Sequence, residues 1–420
     1  MKILFITFFF PPYKTVASIR TGKTAKLLHE MGHEIKVISA KNSMKEELEV
    51  EIPKNLLHQT SWFSIDDAVV NILGRGKKDQ LKGEVLHGGK MSLKTKIIQK
   101  LFALYKFFFY VPDQWIGWYK YALAESREVV DEWKPDIIYA SSGPYTGLMV
   151  ASKLSKEYGI PFVAELRDLW SDNHYDPQYS VGRFLEYITL KNASAIVTVS
   201  APLVEKLSQK YSVPCYEIRN AFDAEDFKYS DFVEDEKKIV ITYTGMMYAG
   251  KRDPSVLFEA IASDAYLKEH VECLFYGNSL AWVNERAKEH GLSKNVKVFT
   301  PIDREEVLKL QARSDILLLL TWNDPQEKGV FTGKLFEYIG SAKPILSIGA
   351  VDDVASNLIR DHNFGLASNK IKEIVAFVKN IKDKTVLEEI DNAYKIDRSQ
   401  FERRYQVEKL VDIFEKIQGK

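Results

Sequence analysis

The sequence contains little cysteine and has no excess of charge of either sign. Cys215 and Cys273 are its only two cysteines in 420 residues. Each falls in a predicted strand, so neither a disulfide framework nor a thiolate zinc site is indicated. The 58 basic residues equal the 58 acidic ones, which gives no electrostatic argument for binding nucleic acid. This composition fits a protein of the reducing cytoplasm.

Long apolar runs are also missing. No segment reaches the roughly 18 uninterrupted apolar residues that a membrane-spanning helix needs. Near the amino terminus Lys2 is followed by ILFITFFF, which resembles the start of a secretion signal. Two prolines follow it, however, and a regular strand and helix pattern continues. We therefore interpret this run as a buried first strand.

Glycine is scarce where a phosphate-binding loop would need it. The letters GKT at residues 22–24 match the end of the motif G-x-x-x-x-G-K-[ST], whose first glycine lets backbone amides curl around phosphate. Ala17 occupies that position, and Gly22 is the only glycine in the first 30 residues. We therefore assign Lys23 to the solvated side of a helix and place no phosphate here.

The sequence does contain two series of short apolar strands that alternate with helical segments. Continuous apolar strands of this kind predict a parallel sheet covered on both faces. A polar, acidic stretch at 223–237 separates the two series. We therefore predict an α/β protein with two tandem Rossmann-like, doubly wound domains, 1–222 and 238–395, that face a cleft. The amphipathic helix within 396–420 is expected to pack back on the first domain.

The most informative segment is 315–349, DILLLLTWNDPQEKGVFTGKLFEYIGSAKPILSIG. It predicts a buried strand, a loop with Gly329 and Gly333, and a helix from about Lys334. Free backbone amides and the positive end of a helix would then face an anion. Glu337, one turn into the helix, can accept hydrogen bonds from vicinal hydroxyls such as those of a ribose. The same pattern also suits an ordinary strand-to-helix turn with a surface glutamate and lysine.

This segment resembles the donor site of GT-B glycosyltransferases, particularly the retaining glycosyltransferase family 4 group of the bacterial surface-polysaccharide type. Other segments occur in the matching order, namely VTVSAPLVEKL with IRNAFDAEDF, then YTGMMYAGKRDP, then GLSKNVKVFTPIDREEVLKLQARSDILLLL. The resemblance covers most of the chain and leaves out chiefly residues 41–130. It implies that the second domain binds a nucleotide-sugar and that the first domain binds the acceptor.

The resemblance implies roles for several residues of the second half. Glu337 matches the second glutamate of the family's E-x7-E motif, which holds the nucleotide ribose. Either Lys251 or Arg252, together with Lys334, would neutralise the leaving diphosphate. Thr300 lies where the family's backbone meets the base. The remaining donor-binding candidates are Gly245, Gly277, Asn278, Phe331, Thr332 and Gly333.

The sequence departs from the family's pattern at three places. Gly329 stands where the first glutamate of E-x7-E is expected, and Glu327 could replace it only through a shifted loop, so the donor sugar stays open. Threonine and valine at 15–16 replace the glycine pair that often follows the first strand. Serines occupy 141–142, where a histidine is common.

In the first half, VAELRDLWSDNHYD places polar and aromatic residues after a predicted strand. Arg167 and Asp168 end that strand, and Trp170 offers an aromatic platform. The letters RDLW also occur in surface-polysaccharide members of the family. With Arg20 and Ser142, these residues are our acceptor-side candidates, and Asp168 is also a catalytic candidate. The alternative is an ion pair between Arg167 and Asp168 that holds a loop.

Residues 94–122 combine lysines with aromatic residues, among them Trp115 and Trp118. Basic residues with exposed aromatic rings suit an anionic membrane surface. A helix packed on the domain is the alternative. We favour the membrane because the run FFFY covers more than one helical face.

We therefore expect an enzyme that moves a hexosyl or N-acetylhexosaminyl group from a nucleotide-sugar, a UDP-sugar by preference. The acceptor would be lipid-linked or a glycan, at the cytoplasmic face of the membrane. The nucleotide-sugar is a co-substrate, and neither a cofactor nor a metal is expected. Retaining chemistry follows from the resemblance alone. A nucleotide-sugar epimerase of the same fold and a non-catalytic nucleotide-sugar-binding protein are the alternatives.

Overall fold

The computed structural model describes most of the chain as two compact units. Unit 1 comprises Met1–Ile218 and Val407–Lys420, and unit 2 comprises Arg219–Gln406. The residues described are 1–41, 48–64, 111–173, 180–227, 238–247, 250–278, 280–325, 328–329, 331–382 and 398–419.

Unit 1 is a parallel sheet with helices between its strands. The strands are β1 (Lys2–Ile6), β2 (Glu34–Ala40), β3 (Leu57–Thr60), β4 (Ile137–Ser141), β5 (Phe162–Leu166), β6 (Ala195–Thr198) and β7 (Cys215–Glu217). The helices are α1 (Val16–Glu30), α2 (Tyr119–Trp133), α3 (Thr146–Tyr158), α4 (Ser180–Leu190) and α5 (Ala201–Lys210). The seven strands are ordered β3-β2-β1-β4-β5-β6-β7, and the strand order therefore reverses between β1 and β4.

The central strands of unit 1 form because their residues are apolar on both faces. Every residue of β4 and β5 is buried, including Glu165. Helix α1 begins at Thr15, whose side chain accepts a hydrogen bond from the amide of Ser18. Gly22 lies inside α1, where a Cβ atom would come within 2.6 Å of the Pro11 side chain. The GKT letters therefore serve close helix packing and form no loop.

Unit 2 repeats the architecture with a smaller sheet. Its strands are β8 (Ile239–Thr244), β9 (Val271–Tyr276), β10 (Val296–Phe299), β11 (Ile316–Leu320), β12 (Ile345–Ile348) and β13 (Gly365–Ala367). Its helices are α6 (Ser255–Ser263), α7 (Ala265–His270), α8 (Ala281–Glu289), α9 (Arg304–Arg313), α10 (Gly333–Gly340), α11 (Val354–Asp361) and α12 (Ile371–Asn380). The strand order is β10-β9-β8-β11-β12-β13, with all neighbours parallel. These two sheets confirm the predicted fold class of tandem Rossmann-like domains.

The last helix, α13 (Arg403–Gln418), supplies part of the core of unit 1. Val407, Leu410, Ile413 and Phe414 are buried in one cluster with β1 residues such as Phe5. Tyr405, which belongs to the same amphipathic pattern in the sequence, is exposed.

The described part of segment 94–122 contradicts one expectation about its aromatic residues. Trp118 is fully buried, and its indole nitrogen donates to the Thr60 hydroxyl at 2.7 Å. Trp115 packs against the same core, with its ring 5.4 Å from that of Phe9. Trp118 is therefore a core residue, and Trp115 is partly buried against that core. Residues 94–110 lie outside the described ranges.

Helices able to cross a membrane are not found among the described residues, because none is both long and apolar enough.

Candidate functional site

The candidate site of unit 2 lies where the strand order of its sheet reverses. Strands β8 and β11 are neighbours, yet the chain continues from β8 towards one edge of the sheet and from β11 towards the other. The loops that leave such a pair of strands diverge and open a crevice at their carboxyl ends. Gly245 follows β8 directly, and the loop after β11 leads into α10.

Lys334, in the first turn of α10, reaches back over the end of β8. Its side-chain nitrogen donates to the phenol oxygen of Tyr243 at 2.8 Å and lies 4.1 Å from the centre of that ring. Burial, with a smaller contribution from the positive charge of Arg252, lowers the pKa of Lys334 to about 7. A partly desolvated ammonium beside a second cation is suited to binding an anion.

Two glycines permit the close approach of backbone and side chain at this point. Gly245 has a φ of +108°, and a Cβ atom there would come within 2.6 Å of the Lys334 side chain. At Gly277, after β9, a Cβ atom would come within 2.2 Å of the Gly245 carbonyl oxygen. Side chains at these positions would therefore displace Lys334 or separate the ends of β8 and β9.

The amino terminus of α10 presents open backbone amides. The Thr332 side chain accepts a hydrogen bond from the amide of Lys334 at 3.2 Å and so caps the helix. Gly333 is exposed, and a Cβ atom there would meet nothing within 4 Å. Phe331 is buried against Phe336, which fixes the entry to the helix. A ligand can therefore approach the positive end of α10 directly.

Glu337 lies one turn further along α10, where two polar residues from other elements surround it. Arg304, the first residue of α9, places its guanidinium 3.6 Å from the Glu337 carboxylate and 2.8 Å from that of Asp226. Gln311 donates a hydrogen bond to Glu337. Burial raises the pKa of Glu337, and Arg304 and Gln311 oppose this rise.

The two cation candidates after Gly245 differ in their surroundings. Arg252 is half-buried and acts electrostatically on Lys334. Lys251 is exposed and lies 4.0 Å from the centre of the Trp322 ring, in the loop after β11. The structure therefore couples Arg252, more directly than Lys251, to Lys334. Glu327, the candidate replacement for the missing glutamate at 329, lies outside the described residues.

Asn278 and Thr300 occupy the same edge of the sheet. Asn278 follows β9, Thr300 follows β10, and both are exposed. No contact joins either residue to the Lys334 cluster among the interactions described for unit 2. They stay candidates for a part of the ligand that lies beyond the ends of β9 and β10.

In unit 1 one acceptor-side candidate, Arg20, lies in a buried polar cluster. The Arg20 guanidinium pairs with the Glu165 carboxylate at 2.6 Å and also donates to the carbonyl of Ile218. Burial raises the pKa of Glu165, but Arg20 more than offsets this, and the net shift is downward. The Ser141 hydroxyl donates to the same carboxylate. Arg20 is therefore held inside unit 1 by a carboxylate that sequence reasoning overlooked.

Arg167 stabilises the turn at residues 142–143 by hydrogen bonds to backbone carbonyl groups. Its guanidinium donates to the carbonyl oxygen of Ser142 at 2.8 and 2.5 Å and to that of Gly143 at 3.3 Å. Burial lowers the pKa of Arg167. Asp168 is exposed, and no ion pair between the two is among the interactions described for this loop.

Trp170 does not offer the exposed platform that the sequence suggested. Its ring is fully buried and stacks on Tyr145 at 4.8 Å with an angle of 6° between the planes. The Tyr145 hydroxyl donates to the carbonyl of Leu169 at 2.8 Å. Tyr145 therefore anchors the RDLW loop, because its ring stacks on Trp170 and its hydroxyl binds the backbone of Leu169.

Three residues that sequence reasoning missed complete these clusters, namely Tyr243, Arg304 and Glu165. Tyr243 is the penultimate residue of the buried strand β8, and Arg304 opens the helix after β10. Glu165 interrupts the apolar run FVAEL. A polar residue near the carboxyl end of a buried strand is the signal that could have identified Tyr243 and Glu165. In the described ranges, no group of three or more His, Cys, Asp or Glu side chains is placed to hold a metal.

Comparison with known proteins supports the fold of the whole chain and matches one segment of it to a protein family. Residues 107–219 match the model of a family described as a glycosyl transferase 4-like domain. The chain has the GT-B fold, and its matched segment is similar to a glycosyl transferase 4-like domain. No curated protein matches the sequence.

Solved structures similar to this GT-B chain are distant in sequence. A glycosyltransferase from Rickettsia africae is 15% identical, with a TM-score of 0.63 over 99% of this chain and 98% of that one. HepE from Anabaena, solved in complex with UDP, is 14% identical, with a TM-score of 0.64 over 99% and 100%. TarM from S. aureus, solved as a mutant with Fondaparinux, alpha-GlcNAc-glycerol and UDP, is 9% identical, with a TM-score of 0.56 over 98% and 99%. At these identities the similarity supports the fold and leaves the substrates open.

Proposed function

We propose that this GT-B chain transfers a hexosyl or N-acetylhexosaminyl group from a UDP-sugar, with retention, to a lipid-linked or glycan acceptor in bacterial surface-polysaccharide synthesis. The observation that carries the proposal is the grouping of Lys334, Glu337 and the open amino terminus of α10 at the strand reversal of unit 2. The UDP in the similar HepE and TarM structures supports the choice of nucleotide. The acceptor and the stereochemistry rest on the resemblance read from the sequence.

The donor side of the reaction needs positive charge where the sugar leaves. As the bond between the sugar and the diphosphate breaks, negative charge grows on the departing oxygen. The Lys334 ammonium, with Arg252 and the amides of Thr332 and Gly333, would stabilise that charge, because preorganised donors in a desolvated site act strongly. Glu337 would accept hydrogen bonds from the ribose hydroxyls and so place the nucleotide.

Retention can proceed without a protein nucleophile. The acceptor oxygen forms its bond to the anomeric carbon on the face from which the diphosphate leaves. The departing phosphate oxygen takes the acceptor's proton, so atoms and charge balance. The protein's part is to hold the donor, exclude water and stabilise the leaving group.

The first test is thermal stabilisation of the purified chain by UDP, GDP, ADP and their sugar conjugates. A ligand that binds only the folded state raises the unfolding midpoint. We expect UDP compounds to raise it in the wild type and in Glu289→Ala, an exposed glutamate of α8. We expect Glu337→Ala to lose most of the rise. Equal stabilisation of both variants would contradict the donor site.

Transfer itself needs a second measurement. Incubation of the stabilising UDP-sugar with membrane extract should yield UDP and a labelled lipid or glycan. Conversion of the sugar to its epimer without release of UDP would support the epimerase alternative. Binding with neither product, in every extract that supplies acceptors, would support the non-catalytic alternative.

A further inference from the structure

Helix α4 exposes an apolar side in unit 1. Val181, Phe184 and Tyr187 are 49%, 62% and 51% exposed. They follow one another at intervals of three residues, so they lie along one side of the helix. On the opposite side, Leu185 packs against the core of unit 1 and Leu190 is buried in it. Single exposed apolar residues are common on protein surfaces, whereas three neighbouring ones on one helix form a contiguous apolar patch.

The exposed charged residues within α4 and directly after it are both positive. Arg183 and Lys191 are exposed, and the Lys191 ammonium lies 5.2 Å from the centre of the Tyr187 ring. No carboxylate pairs with Arg183 or Lys191 among the residues that the structure describes. Lys156 from α3 reaches the end of α4 and donates to the carbonyl of Ile188 at 3.2 Å.

The one carboxylate of α4, that of Glu186, points into the interior of unit 1. Glu186 is buried and accepts hydrogen bonds from the amide and hydroxyl of Ser171. It also pairs with the Lys210 ammonium at 2.9 Å. The helix therefore separates its charges: its anion is neutralised inside the fold, and its cations stay on the solvent side with the aromatic rings.

We propose that the α4 face, defined by Val181, Arg183, Phe184, Tyr187 and Lys191, docks on an anionic lipid surface. Aromatic rings insert at the headgroup level while basic side chains remain with the phosphates, which is the arrangement of helices that lie in a membrane interface. A protein partner could bind the same cations through its carboxylates. The experiment must therefore distinguish a protein partner from a lipid surface. The inference does not rest on the proposed transfer, because it concerns unit 1 and a lipid surface alone.

The experiment is sedimentation of the full chain with vesicles of phosphatidylcholine alone or mixed with phosphatidylglycerol. We expect binding to the mixed vesicles and little binding to phosphatidylcholine. Phe184→Ser should reduce the partition coefficient between vesicle and water about tenfold or more, since the variant lacks the aromatic ring that would be buried in the lipid. The matched control, Tyr266→Ser, removes an aromatic ring of similar exposure, 44%, from α7 of unit 2, and should bind as the wild type does.

A second variant tests the charge. Arg183→Gln combined with Lys191→Gln should weaken binding to the mixed vesicles roughly 25-fold, because each basic residue near an anionic surface contributes roughly fivefold. Unfolding midpoints and UDP stabilisation of each variant show that the fold and the donor site are intact.

Three results would overturn the proposal. These are absence of binding by the wild type, equal binding to both vesicle types, and unchanged binding of Phe184→Ser. If the wild type is instead a dimer in solution and Phe184→Ser is a monomer, the occupant of the α4 face is a second copy of the chain.

Discussion

The ammonium of Lys334 lies 2.8 Å from the phenol oxygen of Tyr243. The phenol in turn donates its own hydrogen to the carbonyl of Met246 at 2.7 Å, so its oxygen acts as the acceptor for the ammonium. This chain of hydrogen bonds holds a cation at the carboxyl end of β8, although burial has lowered its pKa to about 7. The charge of the candidate site is therefore sensitive to pH close to neutrality.

We predict that UDP binding weakens as pH rises from about 7 to about 9, because Lys334 loses its proton in this range while unperturbed lysines keep theirs. A charge-assisted hydrogen bond to the diphosphate is worth about 1.5 to 3 kcal/mol, so the loss should reach about tenfold or more in Kd. Bound UDP should favour the protonated lysine, and binding should take up a proton. Calorimetric titration in buffers of different ionisation enthalpy measures both effects.

The control is Lys334→Met, which keeps the length of the side chain and removes its charge. Its affinity for UDP should be lower than that of the wild type. It should change with pH only through protonation of UDP itself. A variant that keeps the wild-type pH dependence would assign the titrating group to another residue.

Gly245→Ala should disrupt the same contact from the backbone side. The new Cβ atom would come within 2.6 Å of the Lys334 side chain, in a backbone conformation with a φ of +108°. We expect a loss of about 1 to 3 kcal/mol in the free energy of unfolding, together with weaker UDP binding. Gly250→Ala is the matched control, since its φ is +76° but nothing lies within 4 Å. Denaturant unfolding and UDP titration of both variants should show that only Gly245→Ala loses affinity.

Arg304→Met should make UDP binding sensitive to acid. Burial already raises the pKa of Glu337, and Arg304 opposes that rise. Without the guanidinium the pKa should rise further, so a larger fraction of the carboxyl group is protonated as pH falls, and it accepts fewer hydrogen bonds from a ribose. We expect the ratio of variant to wild-type Kd to increase from pH 8 to pH 6.

Arg286→Met is the control for Arg304→Met, because Arg286 also forms carboxylate pairs in unit 2 but lies on the exposed side of α8. Its UDP affinity should follow the wild type at every pH. If the ratio of the Arg304→Met Kd to the wild-type Kd is constant from pH 8 to pH 6, Arg304 contributes to the shape of the site but does not control the pKa of Glu337.

The sequence pattern predicts strands well where both faces are buried. Strands β4 and β11 are continuous apolar runs and lie inside their sheets. Strand β3, with the sequence LHQT, was missed because it is a short polar edge strand that pairs only with β2. Strand β13 was missed because three residues, GLA, carry too little periodicity.

The candidate site was predictable only where one segment carries it. Thr332, Gly333, Lys334 and Glu337 fall in a single loop and helix, so their order in the sequence preserves their geometry. Tyr243 is 91 residues from Lys334, and they meet only because β8 and β11 become neighbours in the sheet. The orientation of an aromatic ring such as Trp170 is likewise decided by a stacking partner that no local pattern reveals.

The RTGKT segment offers a last prediction, because it carries two cations in very different surroundings. Arg20 is buried and pairs with buried Glu165 at 2.6 Å, whereas Lys23 pairs with Glu51 at 3.0 Å near the surface. Arg20→Met should lower the free energy of unfolding by about 3 to 5 kcal/mol, since it leaves a buried carboxylate uncompensated. Lys23→Met should cost within about 1 kcal/mol.

Urea unfolding of both variants measures the difference, and its pH dependence tests the cause. The folded-state pKa of Glu165 is lowered, so the pair stabilises the wild type above the unfolded-state pKa of glutamate and loses this contribution as pH falls through the folded-state value. In Arg20→Met the carboxylate is buried without its cation, its pKa should rise above the unfolded value, and the deficit relative to the wild type should shrink in acid. Equal losses for the two variants at neutral pH would show that the ion pair of Arg20 is no more important to the fold than the surface pair of Lys23.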